Sequence, residues 1–306
     1  MQRRRVLTAL LTSAALLLAG CAGGDNTPAG SPPSASAGPA YPVSVGDLTL
    51  AQRPERIVSL SPTATEMLFA IGAGPQVTAV DDQSTFPAGA PRTDLSGFKP
   101  NAEAIARKNP DLVVLSDDLN KIVDQLRTLK IPVFLTPSAR DLDQTYGEIE
   151  QLGTLTGHPA EATALTGRMR ADIDRIAASV PKRTKPMTYY YELDPTLYTV
   201  TSKTFVGSLL GRLGLKSVAD AADPDGSKGG YPQLSPEALV KANPELILLA
   251  DTKCCKQSPA TVKARTGWSS ITAVTSGKVI ALDDDIASRW GPRVVDLLRS
   301  VADGMS

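Results

Sequence analysis

Apolar residues recur along the chain in two ways: as unbroken runs of four or five, and as stripes spaced at three and four. Leu112-Val113-Val114-Leu115 and Leu246-Ile247-Leu248-Leu249 are unbroken runs, a pattern that suits parallel strands covered on both faces. Each closes a unit that the chain uses twice, Asn101 to Asp117 (NAEAIARKNPDLVVLSD) and Ser235 to Asp251 (SPEALVKANPELILLAD). Asn101 and Ser235 can each accept a bond from an otherwise unpaired helix N–H. Pro236 falls at the first helical position, where its missing N–H costs nothing. Each short helix stops before Pro110 or Pro244, because the residue ahead of a proline is pushed out of the helical region. The unit reads as helix, turn and buried strand, and two copies predict two similar halves.

The remaining segments fill in the halves. Arg56 to Leu60 reads as a strand running into a helix that opens at Ser61-Pro62 and closes at Gly72. Gln76 to Val80 predicts another strand, followed by the polar loop Asp81 to Pro87. Ile122 to Leu129 predicts a helix and Ile131 to Leu135 a strand. Alternating segments of this length argue for parallel, doubly wound sheets. Leu142 to Leu155 is helical, and from Pro159 to Ala178 the residues Leu165, Met169, Ile173 and Ile176 form one apolar stripe on a long helix. Its place midway between the repeats predicts a connector spanning both halves. The second half opens with the strand Met187 to Tyr191, then a loop from Glu192 to Thr201 and a helix from Thr204 to Leu213. It ends with the strand Lys278 to Leu282, the charged loop Asp283 to Arg293 and a last helix to about Ala302.

With 306 residues the chain has room for two ordinary domains. Its 32 basic and 32 acidic residues cancel, so no overall field favours nucleic acid or an anionic membrane. Arg3-Arg4-Arg5, the apolar run from Val6 through Leu18 and a small-residue exit form an export signal. The apolar run is shorter than the ~20 residues of a spanning helix. The exit, Leu18-Ala19-Gly20-Cys21, resembles a bacterial lipobox, in which cleavage precedes the cysteine and Cys21 receives lipid. The Gly-, Pro-, Ser- and Ala-rich stretch that follows buries too little surface to offset the entropy of ordering, and predicts a flexible tether. The expected organisation is a signal over 1–21, a tether over 22–43, an N-terminal α/β lobe over 44–158, a connecting helix over 159–180 and a C-terminal α/β lobe over 181–306.

Catalytic raw material is sparse. The single histidine, His158, stands at a helix start and reads as an exposed junction residue, so serine hydrolysis lacks a positioned base. Neither a GxxxxGK[ST] nor a GxGxxG loop is present at a strand–helix junction, and imidazole-based zinc or manganese cages are excluded by count. The expectation is a non-enzyme with no cofactor and no metal. Cys254 and Cys255 are adjacent in an exported chain; they could form a strained vicinal disulfide, remain reduced or bind a soft ligand. Phe98, on a loop flanked by Gly97 and Pro100, could line a ligand cleft or plug the lobe. A carboxylate-based cell-wall enzyme using Asp81, Asp82 and Asp285 is the competing class.

The segments SPTATEMLFAIGAG, FKPNAEAIARKNPDLVVLSD, YPQLSPEALVKANPELILLAD and SRWGPR, in this order, resemble the cobalamin and iron-siderophore class of substrate-binding proteins of ABC importers. The resemblance covers Arg56 to Ala302. It implies two Rossmann-like α/β lobes with parallel sheets, bridged by one long α-helix, with ligand held between them and little hinge closure. It also implies one docking glutamate per lobe facing the arginines of a permease dimer, at Glu103 and Glu237. For a corrinoid, Phe98, Asp285 and Arg289 match cleft positions, while Gln83 and Gly230 replace expected aromatics and Trp290 appears nearby. Tyr198 and Tyr231 offer further flat apolar surface, and Arg289 and Arg293 could pair with ligand carboxylates or instead with Asp284 or Asp285. The expected protein is a monomer held by lipid on the outer face of the cytoplasmic membrane. It would capture a corrinoid, or alternatively a ferric siderophore or haem, for an ABC permease and its ATPase.

Overall fold

The computed structural model describes residues 40–305. The expected signal, the lipidated Cys21 and most of the tether lie outside the described residues. The chain enters through a hairpin, β1 (Val43–Val45) and β2 (Leu48–Leu50), turning at Gly46-Asp47. The Tyr41 hydroxyl donates to the Leu155 carbonyl at 2.9 Å, so the last residues assigned to the tether are already docked on the folded body.

The N-terminal lobe follows: β3 (Ile57–Leu60), α1 (Pro62–Ala70), β4 (Val77–Val80), α2 (Ala102–Ala106), β5 (Leu112–Leu115), α3 (Ile122–Thr128), β6 (Val133–Leu135) and α4 (Leu142–Thr156). Next comes α5 (Pro159–Ser179). The C-terminal lobe contains β7 (Met187–Glu192), α6 (Phe205–Gly211), β8 (Leu215–Ser217), α7 (Pro236–Ala242), β9 (Leu246–Leu249), α8 (Pro259–Lys263), α9 (Thr272–Thr275), β10 (Val279–Ala281), α10 (Asp284–Ala287) and α11 (Val294–Gly304). The two four-stranded sheets have orders β4-β3-β5-β6 and β8-β7-β9-β10, with every pairing parallel. The orders are the same once the strands are matched by position, which is the duplication that the repeated unit predicts. Central strands β3, β5 and β9 are buried at every residue, as unbroken apolar runs require.

The caps form as the residue types dictate. The Asn101 side chain accepts from Ala104 N–H at 2.8 Å, and the Ser235 hydroxyl from Ala238 N–H at 3.1 Å. Asn109 and Asn243, each ahead of a proline, adopt positive φ of 51° and 45°, a left-handed turn that asparagine tolerates better than most side chains. Asn243 is itself the C-cap of α7, whereas α2 ends at Arg107 and Asn109 turns the chain two residues further on.

The stripe of α5 is buried at Leu165, Met169, Ile173 and Ile176. That helix packs on α4 of the first lobe and on α11 of the second. One apolar core runs without a break from Ile57 and Met67 through these α5 residues to Tyr189, Leu246 and Leu298. Each sheet covers its other face with a smaller cluster of its own, built around Ile105 and Leu126 in one lobe and around Trp268 and Leu239 in the other.

Candidate functional site

Loops at the carboxyl ends of parallel strands are where open α/β sheets bind ligands, and here those loops meet at the lobe junction. Ser61 follows β3, Asp81 follows β4, Ser116 follows β5 and Thr136 follows β6. Across from them the loop from Asp283 to Arg293 follows β10.

The junction is tied by a charge cluster. Glu66, buried on α1, accepts from Arg289 Nη1 at 3.1 Å and from Arg293 Nε at 2.8 Å. Arg289 Nη2 also donates to the Gln83 carbonyl and to Asp285 Oδ1, both at 2.9 Å. The Arg293 guanidinium lies 4.3 Å above the Phe86 ring. Arg289, expected to face ligand, is therefore buried in an interlobe tie, and Arg293, partly buried, joins the same tie. Of the partners anticipated for them, Asp285 is present and Asp284 is not. Asp284 instead accepts from the backbone N–H groups of Thr252, Lys253 and Cys254. Glu66 itself was missed, since nothing distinguishes it in sequence from an ordinary helix acid.

Trp290 stacks on Phe205 with ring centroids 4.8 Å apart and 19° between planes, and its carbonyl accepts from Thr145 on α4 at 3.1 Å. It lines a cleft-floor cavity of about 50 Å³ with Ser61, Ser116, Thr136, Glu148 and Ser288. Burial pushes the Glu148 carboxyl up to about 7, against a lowering bond from Gln144. No motif marks Glu148; the signal for it is a carboxylate on the inward face of an amphipathic helix.

Three candidate aromatics stand at the surface. Phe98 is 74% exposed, Tyr198 is 44% and Tyr231 is 43%. Phe98 follows Gly97, where a β-carbon would sit 2.7 Å from the Leu60 carbonyl oxygen; the close approach of that loop to the end of β3 requires glycine. Tyr198 is held by a bridge to Gln233. Phe86, also exposed at 44%, joins the set without having been anticipated. Gln83 has an exposed side chain and contributes its carbonyl to Arg289.

Two acids of the competing enzyme class have partners of their own. Asp81 is buried and accepts from Ser84, whereas Asp285 is paired with Lys253 and Arg289. His158 is not an exposed junction residue: its ring is bonded to Arg53 at 2.7 Å and to Gln76 at 3.0 Å. Cys254 and Cys255 are free thiols, so the vicinal disulfide is not formed in this structure. Among the described residues no group of three or more His, Cys, Asp or Glu side chains could hold a metal ion, and no helix is long and apolar enough to cross a membrane.

Glu103 and Glu237 are exposed in the first turns of α2 and α7. Bonds from its own backbone N–H and from the Ser235 hydroxyl hold the Glu237 carboxyl below the usual range, so it carries full charge at neutral pH.

A sequence model of the periplasmic binding protein family matches residues 57–286. The chain belongs to the periplasmic binding protein family. An ABC transporter substrate-binding lipoprotein of Bacillus subtilis is 29% identical over 100% of this chain and 98% of its own. A cobalamin-binding protein of Halobacterium salinarum is 31% identical over 83% of this chain and 70% of its own. Among solved structures, that of a possible iron-binding (periplasmic solute-binding) protein from Staphylococcus epidermidis superposes with a TM-score of 0.71 at 26% identity, covering 83% of this chain and 99% of that one. Membership accounts for the two parallel-sheet α/β lobes and the long helix against which both pack, and the fold expectation is borne out.

Proposed function

We propose that this periplasmic binding protein captures a corrinoid between its lobes and delivers it to an ABC importer. The observation that carries the ligand is the set of exposed rings, Phe98, Tyr198, Tyr231 and Phe86, on loops of both lobes, with the arginine over Phe86 and its neighbour already neutralised by Glu66 and Asp285. Flat apolar rings suit a macrocycle, and the lack of a free guanidinium in that cluster suits one whose periphery is uncharged. The names of the two relatives, one an ABC transporter substrate-binding lipoprotein and the other a cobalamin-binding protein, support the same reading. Gln83, Asp285 and Trp290 border the site. Arg289 acts there by holding the lobes together.

Glu103 and Glu237, at the same place in the two repeats, dock on the permease dimer, whose ATPase drives transport. Lipid on Cys21 holds a monomer at the outer face of the cytoplasmic membrane. A second reading, ferric siderophore or haem, draws on the exposed phenols of Tyr198 and Tyr231, which are hard-oxygen candidates for ferric iron.

Calorimetric titration of the purified protein with cyanocobalamin, haemin and a ferric catecholate separates the two readings. The expected result is stoichiometric binding of cyanocobalamin, weakened about tenfold in Phe98→Ala by loss of roughly 1–1.5 kcal/mol of ring contact. Binding of haemin or the catecholate alone would overturn the corrinoid assignment.

A further inference from the structure

The floor of the cleft carries chemistry that the aromatic rim does not explain. Glu148 is 7% exposed and, among the described residues, is the only charged one lining the cavity of about 50 Å³. Its carboxyl receives one long bond, from Gln144 Nε2 at 3.4 Å. The other lining groups are mainly hydroxyls, from Ser61, Thr63, Ser116, Thr136 and Ser288. The Ser61 hydroxyl accepts from Ala64 N–H at 3.3 Å and so keeps its own proton to donate. A buried carboxylate with one weak donor is under-satisfied, since it can accept at both oxygens. The nearest cationic side chains on the facing loop, Arg289 and Arg293, are bound to Glu66.

We propose that Glu148 and the surrounding hydroxyls form a subsite for a primary amide on the periphery of the ligand, and that this subsite selects amide-bearing macrocycles against carboxylate-bearing ones. The amide N–H donates to Glu148 and the amide oxygen accepts from a serine hydroxyl. The cavity has room for such a terminal group and not for the ring, which stays at the aromatic rim. A ligand carboxylate in the same place would set two anions together with no cation between them, at a buried position where charge repulsion is poorly screened.

The inference rests on ligand capture in the interlobe cleft, and its test is built to fail separately from the corrinoid assignment. Affinities are measured at pH 8 for two pairs of probes: cyanocobalamin against its derivative with peripheral amides hydrolysed to carboxylates, and haemin with its propionates converted to amides against haemin itself. The wild type is expected to prefer the amide member of whichever pair binds by about tenfold or more, the scale on which a charge-assisted hydrogen bond differs from a like-charge repulsion. Glu148→Gln, which can donate to a carboxylate, is expected to shrink that ratio to about threefold or less while melting as a folded protein. A wild-type preference for the carboxylate member, or a ratio unchanged in Glu148→Gln, overturns the subsite even if corrinoid binding stands. If only the haem pair binds and the amide form wins, the corrinoid reading falls and the subsite survives. Failure of all four probes overturns both.

Discussion

Glu192 and Asp251 are fully buried side chains at the carboxyl ends of β7 and β9. Arg265 grips Glu192 with two bonds of 2.6 and 2.5 Å, whereas neither oxygen of Asp251 has a donor among the described residues. Burial, and then the charge of Glu192, hold the Asp251 carboxyl well above the usual carboxylate range. An unfolded aspartate loses its proton near pH 4, while the folded one keeps it. Above that pH the native state therefore binds more protons, and stability falls as pH rises through the folded value. Asp251→Asn should remove this part of the slope and stand about 1–3 kcal/mol above the wild type at pH 8, with little difference at pH 4. Urea unfolding at both pH values checks it; parallel stability profiles would contradict the assignment. Substitution at Glu66 has the opposite effect on stability, because Glu66→Ala leaves Arg289 and Arg293 without their shared carboxylate. A loss of about 3–5 kcal/mol is expected in the same assay. Loop position and repetition pick out Phe98 and the two repeat glutamates as candidates in the sequence. Glu66 is not picked out, since its partners lie more than two hundred residues away and only the folded junction brings them together.

At the scale of elements, α5 packs on both lobes, against α4 of the first and α11 of the second. Its stripe at Leu165, Met169, Ile173 and Ile176 enters a core shared by both lobes, so the lobes should unfold as one unit. Ile173→Ala is expected to cost about 2–4 kcal/mol and to lower a single calorimetric transition. A split into two transitions would show that the lobes are energetically independent. The long helix was legible from its period, and the helix starts from the caps Asn101 and Ser235, the latter with Pro236 behind it. The hairpin β1–β2 escaped notice although Val43-Ser44-Val45 and Leu48-Thr49-Leu50 alternate around Gly46-Asp47. Its strands are only three residues long, and the composition of the preceding stretch masked them.

The whole molecule repeats one sheet order twice and leaves one carboxylate exposed at the same helix turn in each half. Duplication was legible because the pattern of the unit Asn101 to Asp117, cap, acid, Asn-Pro and apolar run, recurs at Ser235 to Asp251; the tie of Glu66 to Arg289 and Arg293 was not, being a property of the assembled lobes. Capture and delivery are separable in such an arrangement, since the rings lie on loops and Glu148 lines the interior cavity, while Glu103 and Glu237 are exposed in the first turns of α2 and α7. The decisive measurement is uptake of labelled cobalamin by cells that express the protein with its permease and ATPase, comparing the wild type with the double variant Glu103→Lys and Glu237→Lys. Uptake is expected to fall at least about tenfold in the double variant, as like charges replace two attractive pairs, while calorimetry on the purified variant gives an unchanged cobalamin affinity. Undiminished uptake with intact binding would contradict the account.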